Sequence, residues 1–311
     1  MHLTPARVLL LLCVLAACGG LLFVLLAALL TWSILVPPRM SAGKAIYHLR
    51  RLSPGDLGLV FEEQWFTVED RRDGRRLRLT GWWIPSSVPS DGCVILLHGY
   101  ADAKVGAIAW APILHELSLN ILAIDLRAHG DSGGQFCTGG FFERDDISQL
   151  IEQIRINQPG QTRRIFLFGA SLGAAIAIGV AAGRSDITAI ILESPFSDYA
   201  RAIARHMQRM NLPGGLLTTT AIAAAQRISG ARFSEVRPVD LLAKLTCPAL
   251  TIVGSDDPLL DETDITALEQ ATRQNPRSEF WLVQAAGHLQ AMAVDPVKYR
   301  LRVAEFLGRS K

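Results

Sequence analysis

The sequence predicts an α/β protein. A mostly parallel sheet should carry helices on both faces, with a helical insertion over one end and an apolar helix at the N-terminus. Three observations carry that expectation. From residue 92 onward, short continuous apolar runs alternate with amphipathic or small-residue stretches, as strands buried on both faces require. Residues 195–238 interrupt the alternation with helical pattern and no strand. From Val8 to Val36 the chain holds no charged residue.

That N-terminal run exceeds the ~20 residues a helix needs to cross a bilayer. Trp32 suits the membrane interface, and Pro37-Pro38 stops the helix. A rival reading is a signal sequence. Arg7, a short apolar core and Leu15-Ala16-Ala17-Cys18 resemble a bacterial lipoprotein cleavage box, with Cys18 as the lipidated residue. A second apolar run, Leu21 to Val36, stands where a lipoprotein would carry a polar tether. The expectation is therefore an uncleaved single-pass anchor over residues 1–36. Arg39, Lys44, Arg50 and Arg51 outnumber Arg7 and the terminal amine, so positive-inside counting leans to a cytoplasmic domain. Short-tailed anchors with a large following domain commonly export it, and the side stays open.

Residues 37–58 read as a juxtamembrane connector to a domain spanning 59–311, within which 195–238 is a helical cap. The runs Val60 to Val68 and Leu77 to Ile84, with Asp73-Gly74 between them, signal a hairpin. Arginines 71, 72, 75 and 76 read as its solvated tip rather than a headgroup-binding patch. Strands follow at Cys93–Leu97, Ile121–Asp125, Ile165–Phe168, Ile187–Leu192, Ala249–Val253 and Phe280–Val283. An insertion at 195–238 would cover the carboxyl ends of these strands, where such sheets bind ligands.

Composition excludes several classes. A formal net charge of +2 gives no reason to expect a nucleic-acid partner. The 50% hydrophobic content is high because of the N-terminal run. Five cysteines show neither C-x-x-C nor His/Cys ligand spacing, which argues against a disulfide framework and a zinc site. Oligomeric state is not legible.

The chain is organised around Gly169-Ala170-Ser171-Leu172-Gly173, which lies between an apolar strand and a small-residue helix ending at Gly183. Strand, G-x-S-x-G, helix is the context of a strained nucleophile turn. A serine hydroxyl needs a base, itself oriented by a carboxylate. Only His206 and His288 follow Ser171. His206 sits among arginines on the cap and reads as an exposed helix residue. His288 follows the last strand, at the sheet edge where a base can reach Ser171. The preceding strand runs into Gly254-Ser255-Asp256-Asp257-Pro258, whose adjacent carboxylates point apart. Pro258 biases Asp257 towards extended backbone, leaving Asp256 as a turn or capping residue; Glu193 is a third candidate acid. An oxyanion needs two backbone N–H donors. The Leu172 amide is one candidate, and the Tyr100 amide in His98-Gly99-Tyr100 is the other. His98 reads as a structural hydrogen-bonding residue.

Taken together, His98-Gly99-Tyr100, Asp125-Leu-Arg-Ala-His-Gly-Asp-Ser132, the Ser171 turn, Gly254 to Pro258 and Gly287-His288 resemble the α/β-hydrolase superfamily over residues 60–311. Within it, the chain is most similar to membrane-anchored hydrolases of the BEM46 and serine aminopeptidase-like groups. The resemblance implies the α/β-hydrolase fold and selects Asp257 as the acid, three residues after the strand-ending glycine. It makes Asp125 to Ser132 a structural turn, so Arg127 and His129 take no catalytic role. The implied catalytic set is Ser171, Asp257 and His288, with Tyr100 and Leu172 as the oxyanion hole. No metal or organic cofactor is implied. The expected activity is hydrolysis of a carboxylic ester or thioester with a lipid-like acyl chain. A peptidase or amidase using the same triad, and a non-catalytic membrane scaffold, are the alternatives.

Overall fold

The computed structural model describes residues 4–209 and 215–310. Its sheet has eight strands: β1 (Glu62–Glu69), β2 (Arg76–Ile84), β3 (Gly92–Leu97), β4 (Asn120–Ile124), β5 (Arg164–Ala170), β6 (Ile187–Glu193), β7 (Ala249–Gly254) and β8 (Glu279–Val283). They lie in the order β1-β2-β4-β3-β5-β6-β7-β8. The hairpin strands β1 and β2 are antiparallel, β2 is antiparallel to β4, and every later pair is parallel. Each expected strand is present within a residue or two of its ends. β3, β4 and β7 are buried at every position, which is why they read as unbroken apolar runs. In β1 only one face is covered: Phe66 and Val68 are buried while Trp65 is exposed.

Helices close both faces. On one side the helix Leu172–Ala182 packs with Glu143–Asn157 and Glu262–Arg273 around Ile147, Ile176 and Leu268. On the other, Pro296–Arg309 contributes Tyr299 to a core shared with Trp110 and Phe168. The parallel order brings the carboxyl ends of β3, β5, β6, β7 and β8 to one edge. Over that edge lies the insertion, folded as two helices, Tyr199–Arg209 and Leu216–Ser229.

The N-terminal helix runs from Pro5 to Leu35. At ~1.5 Å per residue it is longer than the ~30 Å hydrocarbon core of a bilayer. Its first part is wholly exposed, yet Ala27, Leu30, Thr31, Ile34 and Leu35 are buried. They form a third core with Phe141, Tyr199, Leu217 and Phe233 of the domain and its insertion. Fully burying Leu30, Ile34 and Leu35 is worth about 1.5–3 kcal/mol each. The end of the helix thus packs into the domain.

Residues 37–58 are likewise folded onto the domain, as a helix (Ala42–Leu49) and a 3₁₀ turn (Pro54–Leu57). Arg39 donates through Nη1 to the carbonyls of His129 (3.3 Å), Gly130 (2.7 Å) and Ser132 (2.7 Å), and through Nη2 to that of Gly134 (3.1 Å). Arg51 Nε donates to the Val105 carbonyl at 3.0 Å.

Candidate active site

Ser171 stands between β5 and the helix Leu172–Ala182 with φ 52° and ψ −109°. Left-handed backbone at a non-glycine residue costs on the order of 1–3 kcal/mol. It is held by the Ser171 amide, which donates to the Glu193 carbonyl at 2.9 Å. The flanking glycines are required by close approach rather than by their own dihedral angles. A Cβ on Gly173 would sit 2.0 Å from the Leu97 carbonyl oxygen, and one on Gly169 would sit 2.3 Å from that of Gly173.

His288 lies in the loop after β8. Its Nδ1 is 2.7 Å from Asp257 Oδ2, and the Asp257 side chain is wholly shielded from solvent. The other oxygen, Oδ1, accepts from the Leu259 amide at 3.0 Å. Asp256 is exposed and accepts from the Ser255 hydroxyl at 2.8 Å. The next residue of the histidine loop, Leu289, donates its amide to Ser194 Oγ at 3.1 Å. Ser194 itself has φ 50° and ends β6. Sequence reasoning passed over it, because a lone serine after a strand carries no signal.

The third sequence candidate for the acid, Glu193, is elsewhere. Its Oε2 accepts from Tyr299 Oη at 2.5 Å and Trp110 Nε1 at 3.0 Å. Burial pushes its carboxyl up to about 7. His98 is buried; its Nε2 accepts from the Leu126 amide at 3.0 Å, and burial pushes the imidazole down to about 3. Arg127 is paired with Asp146 at 2.6 Å, and His129 is buried. His206 is exposed on its helix, as its arginine-rich surroundings suggest, and borders the cavity mouth.

Ser171 and His288 line one cavity of about 720 Å³. That lies within the about 300–1,000 Å³ typical of small-molecule sites. Tyr100 and Leu172 line it too, and a Cβ on Gly99 would stand 3.6 Å from Ser171 Cβ. Among the described residues, neither the Tyr100 nor the Leu172 amide donates a hydrogen bond. Ser171 Oγ likewise makes none among them; such bonds often tighten only once substrate is bound.

The fold is shared with known proteins. A model of the family described as serine aminopeptidase, S33 matches residues 88–232. The Pyrococcus furiosus esterase Pf2001 superposes with a TM-score of 0.71 at 28% identity, covering 88% of this chain and 98% of that one. The chain has the α/β-hydrolase fold. Among curated relatives, uncharacterized protein YqkD of Bacillus subtilis is 26% identical over 217 residues, 69% of this chain and 70% of that protein. Uncharacterized protein Rv2307c of Mycobacterium tuberculosis is 28% identical over 222 residues, 71% of each.

The contribution of the N-terminal helix to this cavity was not foreseen. Trp32, Ser33, Ile34 and Val36, from the end of the N-terminal helix, face Phe196, Ile203 and Met207 across it. Among the described residues that line it, there is no Asp or Glu.

Proposed function

We propose that this α/β hydrolase is a membrane-anchored serine hydrolase of BEM46-like type that cleaves a carboxylic ester or thioester. The observation that carries the reading is the His288–Asp257 hydrogen bond beside a cavity that also holds Ser171 and two unengaged amides. Ser171 Oγ attacks the acyl carbonyl while His288 Nε2 takes its proton. The Leu172 and Tyr100 amides receive the developing oxyanion. Collapse breaks the acyl–oxygen or acyl–sulfur bond, and His288 returns the proton to the departing alkoxide or thiolate. Water then attacks the acyl-enzyme, its proton passing through His288, and frees the acid and Ser171. Asp257 keeps the ring in the tautomer that leaves Nε2 free to accept. The exposed apolar part of the N-terminal helix supports anchoring, with residues 1–36 retained.

The aminopeptidase description of the matching family favours a second reading, cleavage of an aminoacyl amide. Such a substrate brings an ammonium group, and the cavity offers it no carboxylate. The ester reading predicts turnover of short-chain 4-nitrophenyl esters and little or none of aminoacyl arylamides. Preference for the arylamides would reverse it.

A further inference from the structure

The serine-hydrolase reading explains Ser171 and its partners but not why a membrane helix should reach them. The last four carbonyls of any helix lack intrahelical partners. Here those of Trp32, Ser33 and Leu35 are taken by Val36 N, Tyr100 Oη and Cys137 N. Thr31 Oγ1 adds a contact to the Ala221 carbonyl at 3.3 Å, on the second cap helix. The helix end is thus capped by the domain, in part through Tyr100, which lines the cavity with Ser171. Counting ~20 residues of span from Val8 ends the hydrocarbon layer near Ala27, and at ~1.5 Å per residue Trp32 lies about 7 Å further on, at interfacial depth.

Trp32 also borders a second apolar groove of about 470 Å³. That groove runs beside Phe23, Val24 and Ala28 of the same helix and Ala224 and Ile228 of the second cap helix. Phe23 and Val24 fall within the counted span. Trp32 therefore lines both a groove at hydrocarbon depth and the cavity that holds Ser171.

We propose that the last turn of the N-terminal helix is a wall of the acyl-binding site, and that the substrate is a fatty-acyl lipid ester resident in the leaflet this helix enters. The inference rests on the serine-hydrolase reading and narrows it. The acyl chain lies between Ser33 and Val36 on one side and Ala202 and Ile203 on the other, its carbonyl at Ser171. Hydrolysis releases a fatty acid and the lipid alcohol, with water as the only co-reactant. The cavity wall is apolar because the chain is, and the domain is clamped to its anchor because a loose tether would let that wall drift.

The test uses the full-length protein in vesicles of non-hydrolysable ether-linked phosphatidylcholine. Turnover is measured on 4-nitrophenyl butyrate in water and on 4-nitrophenyl palmitate, placed either in the protein's own vesicles or in protein-free ones. Ser33→Phe narrows the cavity from the anchor and Ala202→Phe from the cap. Each should lower the palmitate-to-butyrate ratio of kcat/KM by about tenfold or more, the effect of displacing a few methylenes from an apolar pocket. Leu29→Phe places the same aromatic ring on the exposed face of the helix and should leave the ratio at the wild-type value. Fluorophosphonate labelling reports that each variant is folded; if one fails to label, the other decides. Ratios unmoved in labelling-competent variants would overturn the wall assignment. Equal palmitate turnover from both vesicle populations would overturn the leaflet source. A wild-type protein that neither labels nor cleaves any ester would instead bring down the hydrolase reading, and this inference with it.

Discussion

Asp257 and Asp256 are neighbours in sequence, and only one holds His288. Replacing Asp257 by Asn leaves an amide oxygen that can still accept from the Leu259 N–H, now 3.0 Å from Oδ1. The other end becomes an NH₂ group, 2.7 Å from His288 Nδ1. Two donors cannot face each other at that distance, so the ring turns to the tautomer with its proton on Nε2. That nitrogen then cannot take the Ser171 proton. In serine proteases this fault lowers kcat by about 10⁴, or about 5 kcal/mol of transition-state stabilisation. Because Asp257 does not line the cavity, KM should stay within a few-fold, a split that general unfolding would not produce. Asp256→Asn perturbs one exposed contact with Ser255 and should change turnover by no more than a few-fold. Initial rates on 4-nitrophenyl butyrate for both variants decide. A crippled Asp256→Asn beside an active Asp257→Asn would refute the reasoning.

Two further predictions follow from buried charge and from the N-terminus. Glu193 is raised from an ordinary 4.5 to about 7, so the native state keeps a proton that the unfolded chain releases between those values. Stability should fall as pH rises through that window, by about 3 kcal/mol (2.5 pH units at 1.36 kcal/mol each), and level off above it. Glu193→Gln keeps an oxygen for Tyr299 and Trp110 and should flatten the slope, which denaturant titrations at pH 5 and pH 8 would show; an unchanged slope would count against it. Intact-mass measurement should find residues 1–36 attached, whereas a mature N-terminus at an acylated Cys18 would support lipoprotein processing instead.

The sheet was legible because strands covered on both faces must be apolar throughout, and β3, β4 and β7 are. The order of the site residues was legible too. Glycines at 169 and 173 are demanded by contacts closer than any side chain permits, and Asp257 and His288 follow the ends of the last two strands, β7 and β8. The packing of the end of the N-terminal helix on the domain was not legible. A leucine facing lipid and one facing Phe233 or Leu217 look alike in a sequence, since both surroundings are apolar. Only Thr31 and Ser33 interrupt the run near its end, and both side chains bond back to their own helix, Thr31 to Ala27 at 2.7 Å and Ser33 to Leu30 at 2.9 Å. Nor was the contact made by Arg39 legible: in the sequence it is one more charge after the span, and its guanidinium is engaged by four carbonyls of the 129–134 turn.

The central claim is that Ser171 is a nucleophile activated by His288. A fluorophosphonate reacts covalently with such a serine and with few others. Incubation of the full-length protein with the probe, followed by peptide mass mapping, should place one adduct on the peptide containing Ser171. Ser171→Ala should abolish it at unchanged thermal stability, because an unbonded hydroxyl is all that is removed. An adduct retained in Ser171→Ala, or none on the folded wild-type protein, would contradict the account.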